Sequence, residues 1–321
     1  MTPIRRASLD IGSNSVRTMV MEWTAARPLL LHDHGSMARI GDCVSTGGRL
    51  EGPLLQRAVT AVHQGAEAAR DWGAHLSAFA TAGLRDAGNR PEALRALSAA
   101  ARAPIALVTG EQEAILNFAG VRASVPEPVE GEVLLIVDTG GGSTEVAWGG
   151  DRLDGSLSMP MGARKLLADC PALASSEPPD RGALDDAVAW ARDRLTALEE
   201  AQVNLAPGLR AVGVGGTVTS LTALQLGLTS YEPMRVHGTV LSLGDLEGLA
   251  QRLRSVDKAE RGRLLGEPAR ADLILPGWAI VTAVLERLSI DRIETNIFGP
   301  RLGILTESGG AIIANRLGEV E

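Results

Sequence analysis

Three glycine-containing turns carry the residues whose types and spacing suit them best to chemistry. The first reads Asp10-Ile11-Gly12-Ser13-Asn14-Ser15. The second reads Asp138-Thr139-Gly140-Gly141-Gly142-Ser143-Thr144-Glu145, and the third Gly213-Val214-Gly215-Gly216-Thr217. In the first two an aspartate closes an apolar run, and glycines and hydroxyls follow. Glycine lets backbone N–H groups close in on an anion and adopts positive φ without strain. Ser13, Ser15, Ser143 and Thr144 add hydroxyl donors. Asp10, Asp138 and Glu145 offer the hard oxygens that magnesium takes alongside phosphate and water. The third turn leads into a helix, whose first amides favour another anion. Taken together, this is chemistry for holding phosphate beside a divalent cation. Any one of these turns is also ordinary hairpin material, because Gly, Asn, Ser and Asp are common there; three together, two of them with acids in register, point to a site.

Two commoner phosphate-binding patterns are excluded. The chain has no G-x-x-x-x-G-K-[ST] run between a strand and a helix. A dinucleotide fold would put its glycines between strand and helix, whereas the first two turns here lead into further strands. Those two turns also echo one another. Asp10-x-Gly12-x-x-Ser15 recurs 128 residues later as Asp138-x-Gly140-x-x-Ser143, each time between two β-rich runs. Self-similarity at that spacing predicts two related α/β halves that each offer an equivalent turn.

The elements that must position these turns follow from hydrophobic pattern and turn chemistry. Strands are expected at residues 7–11, 16–23, 29–31, 36–40, 76–81, 105–108, 133–137, 146–148, 209–214 and 290–295. Helices are expected at 53–72, 90–102 (entered through Pro91), 111–118, 184–200, 217–226, 242–256, 258–265 and 276–288, with another at the C-terminus. Residues 126–131 form a connector of proline, acid and glycine that reads as a boundary. The expected division is therefore a first α/β domain over residues 1–125, joined by a C-terminal helix at 300–321, and a second over 126–299.

Composition bounds the rest. The 321 residues suit two domains of moderate size, and 45% hydrophobic with 22% charged residues is the balance of a folded globular chain. A net charge of -8 argues against a general nucleic-acid or anionic-membrane partner. Aromatics at 3% leave little for stacking on bases. The longest apolar run, residues 273–285, is interrupted by Pro276 and Gly277 and is too short to span a bilayer. Only Cys43 and Cys170 occur, so no disulfide framework is expected. With no apolar leader visible at the start, the chain reads as cytoplasmic.

The turns also carry a resemblance. Leu9 to Ser15, Ala80-Thr81-Ala82-Gly83-Leu84-Arg85, Thr109-Gly110-Glu111-Gln112-Glu113-Ala114, Asp138 to Glu145 and Val214-Gly215-Gly216-Thr217 resemble, in order, the exopolyphosphatase / guanosine pentaphosphate phosphohydrolase (Ppx/GppA) family. The resemblance covers most of the chain. It implies the actin/sugar-kinase/heat-shock-chaperone superfamily, with two ribonuclease-H-like α/β domains and phosphate bound in an interdomain cleft. It implies hydrolysis of a terminal phosphate from polyphosphate or guanosine pentaphosphate with Mg2+ or Mn2+, and a homodimer would fit it. By the same resemblance Glu113 matches the catalytic glutamate, Asp138 and Glu145 the metal-associated acids, and Arg85 an arginine on the phosphate chain. Asp10 is a further metal candidate. Phosphate contacts would come from Gly12, Ser13, Asn14, Ser15, Gly140, Gly141, Gly142, Ser143, Thr144, Gly215, Gly216, Thr217 and Arg301.

The sequence departs from the family pattern in places. Thr139 stands where an aliphatic residue is usual. Phe298-Gly299-Pro300-Arg301-Leu302-Gly303 replaces the family's Gly-Leu-Arg-Glu-Gly, so Arg301 is kept while Leu302 stands at the glutamate. No family-type C-terminal helical domain follows, which suggests a short form that shortens long polymers less processively.

Residue types alone give Glu113 a plainer reading as a helix-start acid, with Glu111 its neighbour and rival. His32 and His34 share a strand face without metal-ligand spacing. Arg235, His237, Arg164 and Lys165 are weaker candidates to line the site. Two rivals to hydrolysis are an ATPase or kinase of the same superfamily, with an adenosine pocket near residues 215–217, and a non-catalytic sensor of polyphosphate or guanosine phosphates.

Overall fold

The computed structural model describes residues 3–24, 28–45, 48–125, 131–201 and 209–318. Two compact units result: Met1–Ala123 with Pro300–Glu321, and Ser124–Gly299. Most of the 126–131 connector lies outside the described residues.

The first unit is built on a five-stranded sheet. Its strands are β1 (Ile4–Ile11), β2 (Val16–Trp23), β3 (Pro28–Ser36), β4 (His75–Ala80) and β5 (Ile105–Leu107), in the order β3-β2-β1-β4-β5. β1 runs antiparallel to β2 and parallel to β4. The alternation along β1 decides its two faces. Ala7, Leu9 and Ile11 are fully buried, and the latter two share a core with Ala58, Val62 and Ala66 of the helix Gly52–Asp71. That helix lies close on the sheet because Gly65 has no side chain. A Cβ there would run into Thr18 Oγ1 and Leu9 Cδ1. Arg6, Ser8 and Asp10 belong to the opposite face, where Arg6 Nη1 donates to the Leu305 carbonyl at 2.9 Å. The C-terminal segment is thus part of the first unit. Its Gly303 packs against the backbone of Leu116 in the helix Gly110–Ser124, with no room for a Cβ.

The second unit repeats the plan. Its strands are β6 (Val133–Thr139), β7 (Thr144–Gly149), β8 (Leu153–Met159), β9 (Leu209–Val214), β10 (Val240–Ser242) and β11 (Arg292–Thr295), in the order β10-β11-β9-β6-β7-β8. β6 is antiparallel to β7 and parallel to β9, and β9 is parallel to β11. Strand for strand, β8-β7-β6-β9-β11 reproduces β3-β2-β1-β4-β5, with β10 added at the edge. Both sheets mix parallel and antiparallel strands, so the fold class is α/β as expected. The apolar run near residue 276 forms the helix Ile274–Arg287, in which every residue from Ile274 to Leu285 is buried. Among the described residues no helix is long and apolar enough to cross a membrane.

Several elements differ from the sequence expectation, the edge strand β10 and the short helix Ala82–Arg85 among them. The strand placed at residues 36–40 is absent, because β3 has already ended at Ser36. β8 was not expected. Its sequence LDGSLSM is poor in β-formers, and it is held by its neighbour: Gly155 lies directly under the Trp148 ring of β7, where a Cβ would collide. The expected helix at 184–200 is two, Arg181–Arg192 and Thr196–Glu200. The first is capped by Asp180, whose carboxylate accepts from the Ala183 N–H at 2.8 Å. Beyond the break Leu195 and Leu198 are buried in the core.

Candidate active site

The two echoed turns close in the same way. Gly12 N–H donates to the Ser15 carbonyl at 3.0 Å, and Gly140 N–H to the Ser143 carbonyl at 3.0 Å. Each is then tied from behind by the backbone that follows the third strand. Arg39 and Gly41 donate to the carbonyls of Asn14 and Ser13, both at 2.7 Å; Ala163 and Arg164 donate to those of Gly140 and Gly141, both at 2.9 Å. Closure uses the Gly12 and Gly140 amides, while the four bonds from behind use only turn carbonyls. Close packing sets them further. A Cβ on Gly83 would fall 2.7 Å from Ser13 Cα, and one on Gly162 would fall 2.5 Å from the Gly141 carbonyl.

In the first unit, Arg85 ends the short helix Ala82–Arg85 and turns its guanidinium inward. Nη1 donates to the Val108 carbonyl at 2.9 Å and stands 4.0 Å from the Glu113 carboxylate. Glu113 lies in the first turn of the helix Gly110–Ser124, and a capping box decides where that turn begins. The Gln112 N–H donates to Thr109 Oγ1 at 3.1 Å, and the Thr109 N–H donates to Gln112 Oε1 at 2.9 Å. Glu111 is exposed while Glu113 is buried. The structure therefore brings Glu113 and Arg85 together, near a strand end shared with the first turn: the Thr81 N–H donates to Ile11.

Arg301 is held by an acid that the sequence did not single out. Its Nη1 donates to Asp33 Oδ1 at 2.5 Å and its Nη2 to Oδ2 at 3.4 Å. Arg17 Nη2 reaches the same Asp33 carboxylate at 3.5 Å. Burial would push the Asp33 carboxyl up. The Arg301 guanidinium, then Arg17, more than offset this and hold it below the ordinary aspartate value. Asp10 has Arg17 as its cross-strand partner on β2.

In the second unit the matching cross-strand pair is Asp138 with Glu145, two carboxylates. Both are buried, and their oxygens lie within 4.8 Å of one another. Ser158 on β8 donates to Glu145 Oε1 at 2.8 Å. The third turn passes close by. Gly215 has φ +80°, and a Cβ on it would fall 2.4 Å from Asp138 Oδ1. On Gly216 a Cβ would meet the Arg270 guanidinium at 2.1 Å. Two buried carboxylates crowded at a strand turn, with glycine amides beside them, fit a hard divalent cation. Not every expected hydroxyl is aimed at an anion: Thr144 Oγ1 donates to the Met161 carbonyl at 2.7 Å in the core.

Arg270, Arg17 and Asp33 are the residues that sequence reasoning missed. None belongs to a glycine turn, and only close backbone approach or cross-strand register reveals them. Of the weaker candidates, Arg235 pairs with Glu232 at the surface at 3.0 Å. His237 packs edge-on against Phe298, with ring centroids 5.0 Å apart. Its imidazole pKa is lowered, mainly by burial.

Comparison with known proteins accords with this geometry. The model of the Ppx/GppA phosphatase family matches residues 19–310. Exopolyphosphatase 2 of Mycobacterium tuberculosis (strain ATCC 25618 / H37Rv) is 33% identical over 92% of this chain and 96% of its own length. Exopolyphosphatase 1 of Mycobacterium bovis is 29% identical over 94% of this chain and 87% of its own. Among solved structures, the PPX-GPPA enzyme of Aquifex aeolicus superposes with a TM-score of 0.77 at 27% identity, covering 94% of this chain and 99% of that one. An exopolyphosphatase from Cytophaga hutchinsonii, at 22% identity, shares the fold with a TM-score of 0.83 over 96% of this chain and 98% of its own. The chain belongs to the Ppx/GppA phosphatase family, and so is an enzyme that hydrolyses phosphoanhydrides.

Proposed function

We propose that this protein removes the terminal phosphate of inorganic polyphosphate, in the cytoplasm, and that guanosine pentaphosphate is a second substrate of the same site. The observation that carries the reading is the Asp138–Glu145 pair, buried, cross-strand and beside two glycine turns. Side chains so placed would hold Mg2+ or Mn2+, and Asp10 is the weaker candidate because its cross-strand partner is Arg17 rather than a second acid. When bound, the metal neutralises charge on the transferring phosphoryl group and its leaving oxygen.

The remaining work falls to the chain's own groups. Glu113 orients the attacking water and accepts its proton as the P–O bond forms. Arg85, beside Glu113, meets the phosphate oxygens as charge builds on them. The amides of residues 13–15, 141–144 and 215–217, with Arg301, grip the phosphates behind the scissile bond, those of Gly12 and Gly140 being used to close their turns. Each is a charge-assisted or amide contact of the kind polyanions need.

The test is phosphate release by purified protein from polyphosphate and from guanosine pentaphosphate, with and without magnesium. For Glu113→Gln a loss of roughly a hundredfold to ten-thousandfold in kcat is expected. A Glu113→Gln variant as active as the wild type would remove the assigned base. Tight polyphosphate binding with no phosphate released would favour the sensor reading.

A further inference from the structure

We propose that Asp33 is a positioning residue of the phosphate site: its buried carboxylate, shared between Arg301 and Arg17, fixes the attitude in which the Arg301 guanidinium meets the phosphate chain. This rests on the reading of Arg301 as a phosphate contact.

The geometry is that of a locked cation. The Asp33 side chain is 1% exposed and that of Arg301 6%, so the pair is held away from solvent. Both guanidinium nitrogens of Arg301 face the two carboxylate oxygens, and such a fork removes the rotamer freedom that an arginine otherwise loses on binding. The chain provides no acid beside Arg301 on its own helix, where Leu302 is apolar and buried. The acid comes instead from β3. Arg17 lies opposite Gly35 in the β2–β3 register, so Arg17 and Asp33 share one face of the sheet. Asp10 is the partner of Arg17 on β1. A row of alternating charge, Asp10, Arg17, Asp33, Arg301, therefore runs from the first turn to the C-terminal segment. The two arginines also keep the Asp33 carboxyl ionised, despite its burial.

A purely structural strut would share this geometry but leave binding unchanged, so binding separates the two roles. Asp33→Asn, Arg301→Gln and the double variant would be compared for polyphosphate affinity by calorimetry, for phosphate release, and for folding by circular dichroism. Asp33→Asn and Arg301→Gln are each expected to weaken binding on the order of tenfold to a hundredfold. The double variant should bind no worse than Arg301→Gln alone, because both changes remove one effect. Multiplying effects, or a folded Asp33→Asn that binds within roughly twofold of wild type, would overturn the proposal. Should Asp33→Asn not fold, Asp33→Glu replaces it with the same two outcomes, since one extra methylene already displaces the fork. A wild type that binds polyphosphate without releasing phosphate sinks the hydrolase reading and leaves the binding cycle to decide on Asp33. A wild type that does neither sinks both.

Discussion

Asp10 and Asp138 occupy one position of a repeated unit, and the residue facing each across the sheet sets their different fates. Arg17 faces Asp10, and Glu145 faces Asp138. Two acids drawn together in a buried place repel unless a cation joins them; an acid whose cross-strand partner is an arginine has a positive charge on its own face of the sheet. One substitution at the seventh residue after each aspartate thus separates a metal-suited turn from an anion-suited one. The Arg17 side has a pH signature of its own through Asp33. Its folded pKa lies below the ordinary 3.8. Its stabilising contribution is therefore complete above that value and lost as pH falls through the lower, folded one. Urea unfolding of wild type and Asp33→Asn should show a constant gap in stability from roughly pH 5 to pH 8, narrowing below about pH 4. A gap that stays constant down through the acid range would mean that the carboxylate is not held by its arginines.

At the scale of the element, backbone approach matters more than side-chain identity. The third turn needs Gly215 twice over, for a φ of +80° and for the space taken by the Asp138 carboxylate. Gly215→Ala is expected to cost about 1–2 kcal/mol from the left-handed backbone alone. It should also push Asp138 aside and lower kcat/KM by roughly tenfold or more. Chemical denaturation and phosphate release read the two effects separately, and a variant with normal stability and turnover would contradict the packing described. The helices and central strands were legible because their patterns are strong. The Gly52–Asp71 helix announces itself by Pro53 and a stripe of alanines, and β6 by an unbroken run of apolar residues. β8 and β10 were not legible, because an edge strand borrows its stability from the neighbour that covers it. Gly155 beneath Trp148 is a contact that periodicity cannot express. The same limit hid Arg270. It ends a single 3-10 turn at Pro268–Arg270, and only the missing side chain of Gly216 shows what it approaches.

For the whole molecule, a site made of like charges sets stability against function. The glycine turns and their acids could be read from spacing, while the cross-strand register that makes Asp138 and Glu145 a pair could not, since it depends on how β6 and β7 align. That pair stores repulsion in the metal-free fold, and binding a divalent cation to the native state alone adds stability by mass action. The consequence is a crossing of melting temperatures. In chelator, Glu145→Gln should melt a few degrees above wild type, because one of two crowded charges is gone and the amide oxygen can still accept from Ser158. With magnesium at about a hundred times its dissociation constant, wild type should gain about 2.7 kcal/mol and overtake it. The variant should hardly respond. Thermal unfolding of both proteins, with chelator and across a magnesium titration, measures this directly. Parallel rises in the two would place the cation elsewhere on the protein. A Glu145→Gln that melts below wild type in chelator would show that the carboxylate contributes more through its contacts than it costs in repulsion, and the metal assignment would lose its physical basis.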